Sequence, residues 1–175
     1  VTADGNRQIE AFAGPGDYVS LCLCATSPTS AEALSRVETE YVTRAAFERR
    51  LLEDAQFRQE VFRDIDKSAA DARRQATLLA CRCAKERVAE FVLFLDSHFA
   101  PRADGYTPIC MSRCDMADHL GLTLETVSRM LNRFKQTNVI DLPRPDRFRI
   151  LNYNCLSRLA GRSDQGSFDR NGIAV

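Results

Sequence analysis

The sequence predicts an α+β protein built from three successive parts. Turn residues separate strand-like segments over positions 1 to about 43, whereas positions about 44 to 99 contain little Gly or Pro and predict helix. The last part combines two short helical patterns with two short strands. We therefore place domains at 1–60, 61–99 and 100–161, followed by a flexible tail over 162–175.

The N-terminal part predicts strands joined by turns. Gly14-Pro15-Gly16-Asp17 is typical of a turn, and Pro28 interrupts the extended pattern that follows.

The middle part predicts a short helix and then a long one. Ala45, Phe47, Leu51 and Leu52 define the first helix. A spacing close to a heptad follows, formed by Val61, Ile65, Ser68, Ala72, Gln75, Leu79 and Arg82 or Cys83. This stripe either pairs with a second copy of the chain or covers the chain's own strands. Small residues along it favour the dimer, and polar Asp66, Lys67 and Arg73 would weaken the pairing enough to make it conditional.

The C-terminal part opens with two helices joined by a tight turn. Residues 112–120 predict a helix with Met116 and Leu120 inward, Gly121 ends it, and Thr123 can cap the next one. A buried stripe in the second helix consists of Val127, Met130, Leu131 and Phe134. Its opposite face presents Glu125, Ser128, Arg129 and Asn132. Such a face suits base edges in a major groove, although many amphipathic helices carry charged outer faces without binding DNA.

Two short strands follow the second helix. Residues 139–142 and 147–151 predict a hairpin whose turn is Pro143-Arg144-Pro145-Asp146. Two helices and a hairpin in this order predict a winged helix-turn-helix.

The segment SRCDMADHLGLTLETVSRMLNRF resembles the DNA-binding motif of the Crp/Fnr regulators, especially their Fnr and FixK-type branches. Residues 83–95 resemble the end of the family's long dimer helix and the element after it, and residues 4–21 resemble strands of its effector-sensing β-roll. The resemblance implies a partial cyclic-nucleotide-binding-like β-roll over 1–60, a dimerisation helix and hinge over 61–99, and a DNA-binding domain over 100–161. Because the chain would open inside this β-roll and leave sheet edges and apolar faces without partners, the resemblance also implies a sequence truncated at its N-terminus.

The resemblance also assigns roles to individual residues. Glu125, Ser128 and Arg129 match the base-contacting positions of the Fnr-type motif. Arg113, Thr123 and Thr126 match positions that meet phosphates. Leu124 stands where the cyclic-nucleotide branch has an arginine, which implies an inverted repeat of TTGAT-type half-sites contacted by a homodimer. RNA polymerase is the further partner that the resemblance implies.

The effector is only partly constrained. Cyclic-nucleotide-binding members place a Glu and an Arg where this chain has Leu21 and Thr29, and neither residue can hold a ribose or a cyclic phosphate. Iron–sulfur Fnr proteins use N-terminal cysteines that would precede this chain, plus one at the position of Glu40. We therefore expect neither a cyclic nucleotide nor an iron–sulfur cluster in this chain.

The sequence contains seven cysteines. In a reducing cytosol we expect most of them to be small buried thiols. The CxC pairs at 22/24 and 81/83 lack the usual CxxC metal spacing, so no metal site is expected. Cys114 differs because it lies in the first turn of the first motif helix beside Arg113, where the positive helix end favours a thiolate. Cys114 is thus a candidate for redox control.

Charge and motifs narrow the function classes. The net charge is zero, but the charges are unevenly distributed. Residues 1–60 carry 6 Lys/Arg and 10 Asp/Glu, whereas residues 101–175 carry 11 Lys/Arg and 8 Asp/Glu. The basic excess near the C-terminus fits contact with phosphates. No membrane-spanning run, secretory signal, P-loop, GxSxG or HExxH motif occurs, so we expect a cytoplasmic non-enzyme. The sequence predicts a dimeric DNA-binding transcription regulator; the alternative is a truncated dimerisation or interaction fragment without productive DNA binding.

Overall fold

The computed structural model describes residues 7–19, 30–81, 83–99 and 101–162. Over these residues the chain is α+β, as predicted, and its elements form two compact units. The smaller unit comprises residues 15–77, and the larger one comprises residues 1–14 and 78–175. The sequence-based proposals on Leu21, Cys22, Cys24 and Thr29 and on the tail beyond residue 162 lie outside the described residues.

Two consecutive helices follow residue 43, and both were predicted. Helix α1 spans Arg44–Glu53 and helix α2 spans Ala55–Cys81. Asp54 separates the two helices because its carboxylate accepts the backbone N–H groups of Gln56 and Phe57, both at 3.0 Å. The bond from Phe57 is the main cause of a lowered pKa at Asp54, as expected for a carboxylate at a helix N-terminus.

The predicted stripe on α2 has two parts. Val61 is buried together with Phe57, whose ring meets the edge of Phe47 at 5.5 Å between centroids. Ile65 and the neighbouring Phe62 remain 38% and 59% exposed. The N-terminal end of the stripe is therefore used within the unit, and a large apolar surface begins one turn later.

The strands predicted before residue 43 do not form in the described stretches 7–19 and 30–43. The turn at Pro15–Gly16 is present, with Gly16 in a left-handed conformation at φ 86°. An extended segment becomes a strand only when another strand takes up its backbone N–H and C=O groups. The turn residues predicted where extended segments end but not which strands would pair with them, so the prediction of strands is wrong for these described stretches.

A new helix begins soon after α2 ends. Helix α3 spans Ala84–His98, with Cys83 at its N-cap and the Glu86 carboxylate accepting the Cys83 backbone N–H at 3.0 Å. The sequence analysis interpreted residues 83–95 as the end of the dimerisation helix and the element after it. In the structure α3 buries Val88, Phe91 and Leu95 in the core of the larger unit.

The rest of the larger unit is a helical pair, a small sheet and a closing helix. Its elements are β1 (Thr107–Pro108), α4 (Arg113–Leu120), α5 (Leu124–Gln136), β2 (Ile140–Arg144), β3 (Arg147–Ile150) and α6 (Tyr153–Leu159). The sheet is antiparallel in the order β1-β3-β2, with Thr107 opposite Phe148 and Ile140 opposite Ile150. α4, α5 and the β2–β3 hairpin form the predicted winged helix-turn-helix.

Candidate nucleic-acid interface

Helix α4 is fixed at its start by reciprocal capping. The Ser112 hydroxyl accepts the Asp115 backbone N–H at 3.1 Å, and the Asp115 carboxylate accepts the Ser112 backbone N–H at 2.9 Å. This capping box satisfies two backbone donors that the helix cannot satisfy itself. Met116 and Leu120 point into the core, as predicted.

The turn between the two motif helices needs a glycine. Gly121 adopts φ 60°, a left-handed conformation that favours glycine, and its N–H bonds to the Ala117 carbonyl. A Cβ at this position would lie 3.3 Å from a Leu79 side-chain carbon. Arg87 holds the turn from outside, because its guanidinium donates to the carbonyls of Leu120 at 3.0 Å and Leu79 at 2.7 Å.

Helix α5 begins at the residue that the sequence predicted. Thr123 is its N-cap and accepts the Thr126 backbone N–H at 3.3 Å, while its hydroxyl donates to the Thr126 hydroxyl at 3.1 Å. The predicted stripe is buried, with all four members at 9% exposure or less: Val127, Met130, Leu131 and Phe134. The core contact therefore fixes which face of α5 points outward.

The outward face carries the predicted base-contacting residues. Glu125 and Arg129 are exposed and Ser128 is half-buried. Their spacing of three and four residues places them on one side of the helix. That side offers a carboxylate acceptor, a hydroxyl and a guanidinium fork, which are the groups that bind base edges in a major groove.

The predicted phosphate contacts separate into two kinds. Thr123 and Thr126 lie at the N-terminus of α5, where hydroxyl and backbone N–H groups can meet an anion. Arg113 is half-buried, and burial lowers the pKa of its guanidinium. The Arg113 guanidinium donates to the Pro145 carbonyl at 3.2 Å and to the Met116 sulfur at 3.2 Å. Part of its donor capacity is thus already used inside the domain.

The hairpin that follows α5 is the wing. β2 runs two residues further than predicted, to Arg144, so the turn is reduced to Pro145–Asp146. Its second strand, β3, is held at Arg147, whose guanidinium donates to the Asp104 carboxylate at 2.6 Å. Arg144 is exposed beside the turn. The wing therefore presents a cation next to a turn of restricted geometry.

One face of the sheet carries a polar cluster that the sequence did not predict. The Tyr106 hydroxyl donates to Asp141 at 2.6 Å, and the Arg149 guanidinium lies 4.9 Å above the Tyr106 ring. The hydrogen bond to Asp141 is the main cause of a raised pKa at Tyr106. Tyr106 is 35 or more positions from both Asp141 and Arg149 in the sequence, so no local pattern could have revealed the cluster.

The expectation of buried thiols is wrong for the cysteines whose side chains the structure describes, because Cys83 is exposed and Cys155 is only half-buried. Cys114 is exposed in the first turn of α4, and Cys110 is exposed just before that helix. Among the described residues, no three His, Cys, Asp or Glu side chains are arranged to hold a metal ion. No described helix is long and apolar enough to cross a membrane.

Residues 7–14 pack along one side of α3 and α4. Arg7 forms ion pairs with Asp115 and Asp118, and the Ile9 carbonyl lies 3.0 Å from Nδ1 of His119. Phe12 is buried with its ring 5.1 Å from the His119 ring. Burial lowers the pKa of His119, because the charged imidazolium loses hydration there.

Several residues that hold the interface were missed by sequence reasoning. Arg87 binds the turn from 33 positions away, and Arg162 forms two hydrogen bonds, at 2.7 and 3.0 Å, with the buried Glu90 carboxylate. The capping role of Asp115 was also missed, although the SRCD pattern contains the Ser-x-x-acid signal that predicts a capping box.

The comparisons with known proteins agree with this geometry. Residues 86–159 match the family model described as a Crp-like helix-turn-helix domain. The fumarate and nitrate reduction regulatory protein of Vibrio cholerae is 32% identical, over 94% of this chain and 67% of its own length. The chain belongs to the Crp/Fnr family of transcription regulators.

Other Crp/Fnr relatives support the FixK/Fnr-like branch. The nitrogen fixation regulation protein FixK of Bradyrhizobium diazoefficiens is 36% identical, over 78% of this chain and 59% of its own length. The solved structure of FixK2 from Bradyrhizobium japonicum superimposes with a TM-score of 0.63 at 31% identity, covering 67% of this chain and 59% of that one. The chain thus spans about three fifths to two thirds of the length of these relatives.

Proposed function

We propose that this Crp/Fnr-family chain is a sequence-specific DNA-binding transcription regulator that acts as a homodimer on inverted repeats with TTGAT-type half-sites. The observation that carries the proposal is the outward face of α5. Val127 and Phe134 hold the opposite face in the core, so Glu125, Ser128 and Arg129 are presented together on a capped helix. In this proposal α5 enters the major groove and the rest of the domain fixes its register.

Each outward side chain has a chemical role in the proposal. Arg129 donates two hydrogen bonds to O6 and N7 of a guanine, and Glu125 accepts from a cytosine amino group. Ser128 contacts a neighbouring base or a thymine methyl. Thr123 and Thr126 bind phosphates and fix the register without selecting sequence.

The experiment that tests DNA recognition is a titration of the full chain against three duplexes at several salt concentrations. We expect tight binding to an inverted TTGAT repeat, weaker binding to a single half-site, and only nonspecific binding to a scrambled duplex. Affinity for the repeat should fall steeply with salt because phosphate contacts release counterions. Equal affinity for all three duplexes would favour the alternative, an interaction fragment without productive DNA binding.

The dimer is supported by the exposed side of α2. Phe62 and Ile65 leave apolar surface open, and the small residues Ser68 and Ala72 are exposed one and two turns later. A second copy packing along this helix would remove that surface from water. Sedimentation should give twice the chain mass for the wild type and a shift towards monomer for Ile65→Asp. Arg63→Asp, an exposed change on the same helix, is the control.

RNA polymerase is the further proposed partner. The Anr protein of Pseudomonas protegens, 34% identical over 93% of this chain, is named a transcriptional activator. A promoter-bound regulator of this kind would contact polymerase directly. Run-off transcription from a template with the inverted repeat should rise or fall on addition of the chain, and remain unchanged when the repeat is scrambled.

A further inference from the structure

The turn of the wing is held by the residues around the start of α4. The Ile109 backbone N–H donates to the Asp146 carbonyl at 2.8 Å, and the Arg113 guanidinium donates to the adjacent Pro145 carbonyl at 3.2 Å. Two consecutive carbonyls of the wing turn are therefore bound by one short stretch of chain. Arg113 is the only side chain in this arrangement, since the other contact comes from the backbone.

The Arg113 guanidinium also rests against the core. It donates to the Met116 sulfur at 3.2 Å and lines a small internal space together with Ile109, Val127 and Phe148. Val127 belongs to α5 and Phe148 to β3, the second strand of the wing. Arg113 thus lies where the first motif helix, the recognition helix and the wing meet.

We propose that Arg113 is a positioning residue, which holds the wing turn so that the neighbouring Arg144 meets the DNA backbone. This inference rests on the proposed DNA-binding function and changes the role of Arg113 in it. A guanidinium that acts only as a phosphate contact would be exposed and hydrated, whereas this one is half-buried and bonded to Pro145 and Met116. Arg113 acts on DNA through the wing.

The planar shape of the guanidinium is what the position requires. It can donate in one direction to the Pro145 carbonyl and in another to the Met116 sulfur. A lysine would keep the charge but would offer a single, strongly hydrated ammonium. Arg113→Lys should therefore behave like Arg113→Met if the residue positions the wing, and like the wild type if its charge alone binds phosphate.

The test combines two independent measurements on the full chain. Without DNA, hydrogen exchange of a peptide over 140–150 should become several-fold faster in Arg113→Met and in Arg113→Lys. A peptide over 124–136 should stay unchanged, which shows that the recognition helix is intact. With the inverted TTGAT repeat, each variant should bind about tenfold more weakly and lose about one unit of salt slope, the loss expected for one charged phosphate contact.

A double-mutant cycle decides between the two roles. If Arg113 acts through Arg144, adding Arg113→Met to Arg144→Ala should reduce the affinity for the inverted repeat by less than about a further twofold. Arg158→Met, an exposed change on α6, should affect neither exchange nor affinity. The proposal would be overturned if the affinity losses of Arg113→Met and Arg144→Ala multiply in the double variant while hydrogen exchange in the wing stays unchanged. Failure of the wild type to prefer the repeat would refute the DNA-binding function instead, while the exchange measurement would still report on the wing.

Discussion

The Arg87 guanidinium on α3 donates a 3.0 Å hydrogen bond to the Leu120 carbonyl at the end of α4. A second arm of the same side chain reaches the Leu79 carbonyl at 2.7 Å. The last carbonyls of a helix lack partners within the helix, so this arginine satisfies Leu120 where α4 ends. The helix-turn-helix turn is thereby attached to α3, outside the segment that defines the motif.

Replacing Arg87 by Met should destabilise the larger unit. The substitution leaves the Leu120 and Leu79 carbonyls without their charged donor, and a hydrogen bond to a charged group contributes about 1.5–3 kcal/mol. We expect a loss in this range for the free energy of unfolding in urea. Arg158→Met, which changes an exposed arginine in the same unit, should change it by less than about 0.5 kcal/mol. Equal effects of the two substitutions would contradict the role given to Arg87.

Thr123→Ala should weaken the start of the recognition helix. The hydroxyl accepts the Thr126 N–H, and loss of such a cap costs about 1 kcal/mol. Thr123→Ser keeps the acceptor and should restore most of the stability. Urea unfolding of the two variants measures the difference. Equal stabilities for the Ala and Ser variants would show that the cap contributes nothing.

Stability should fall in mild acid because of His119. Its folded pKa lies below the ordinary 6.5, so the unfolded chain takes up the proton first as pH falls. The stability that neutral His119 contributes is therefore fully present above about pH 6.5. It is lost as the pH falls through the lowered pKa of His119 in the folded state. The groups in contact with the ring are the Ile9 carbonyl and the Phe12 and Phe91 rings.

Melting temperatures at pH 7.5 and pH 5.5 measure this effect. The wild type should lose stability between them, while His119→Phe should be less stable at pH 7.5 but lose less on acidification. His98→Gln changes the other histidine and should keep the wild-type dependence. A wild-type pH dependence in His119→Phe would assign the effect to other groups.

Peroxide should weaken DNA binding if Cys114 has the proposed redox role. The thiol is exposed in the first turn of α4, and its oxidation would add bulk and charge close to the proposed DNA backbone. Binding to the inverted repeat should fall in the wild type and in Cys110→Ser but persist in Cys114→Ser. An equal fall in Cys114→Ser would exclude this thiol as the target.

The sequence was sufficient for the features that depend on local patterns. The cap at Thr123, the break at Gly121 and the buried Val127 and Phe134 are set by short-range signals, and the structure confirms all of them. The two motif helices and the hairpin of the C-terminal part were therefore predicted, whereas β1 and α6 were not.

Features that depend on distant partners could not be predicted in the same way. Strands before residue 43 need neighbouring strands that turn residues cannot specify, and the described stretches contain no strand. The contacts of Arg87 with Leu120 and of Arg113 with Pro145 join positions about 30 apart. A basic residue in the first turn of a helix looks the same in the sequence whether it binds a phosphate or a carbonyl of its own wing.

The central claim is that Arg129 selects a guanine in each half-site. The most direct measurement compares binding to the inverted TTGAT repeat and to the same duplex with that G·C pair replaced by A·T. The wild type should lose about 1–3 kcal/mol on replacement, whereas Arg129→Ala should bind both duplexes alike. Arg133→Ala, an exposed change on the same helix, should discriminate like the wild type. Wild-type discrimination in Arg129→Ala would contradict the account.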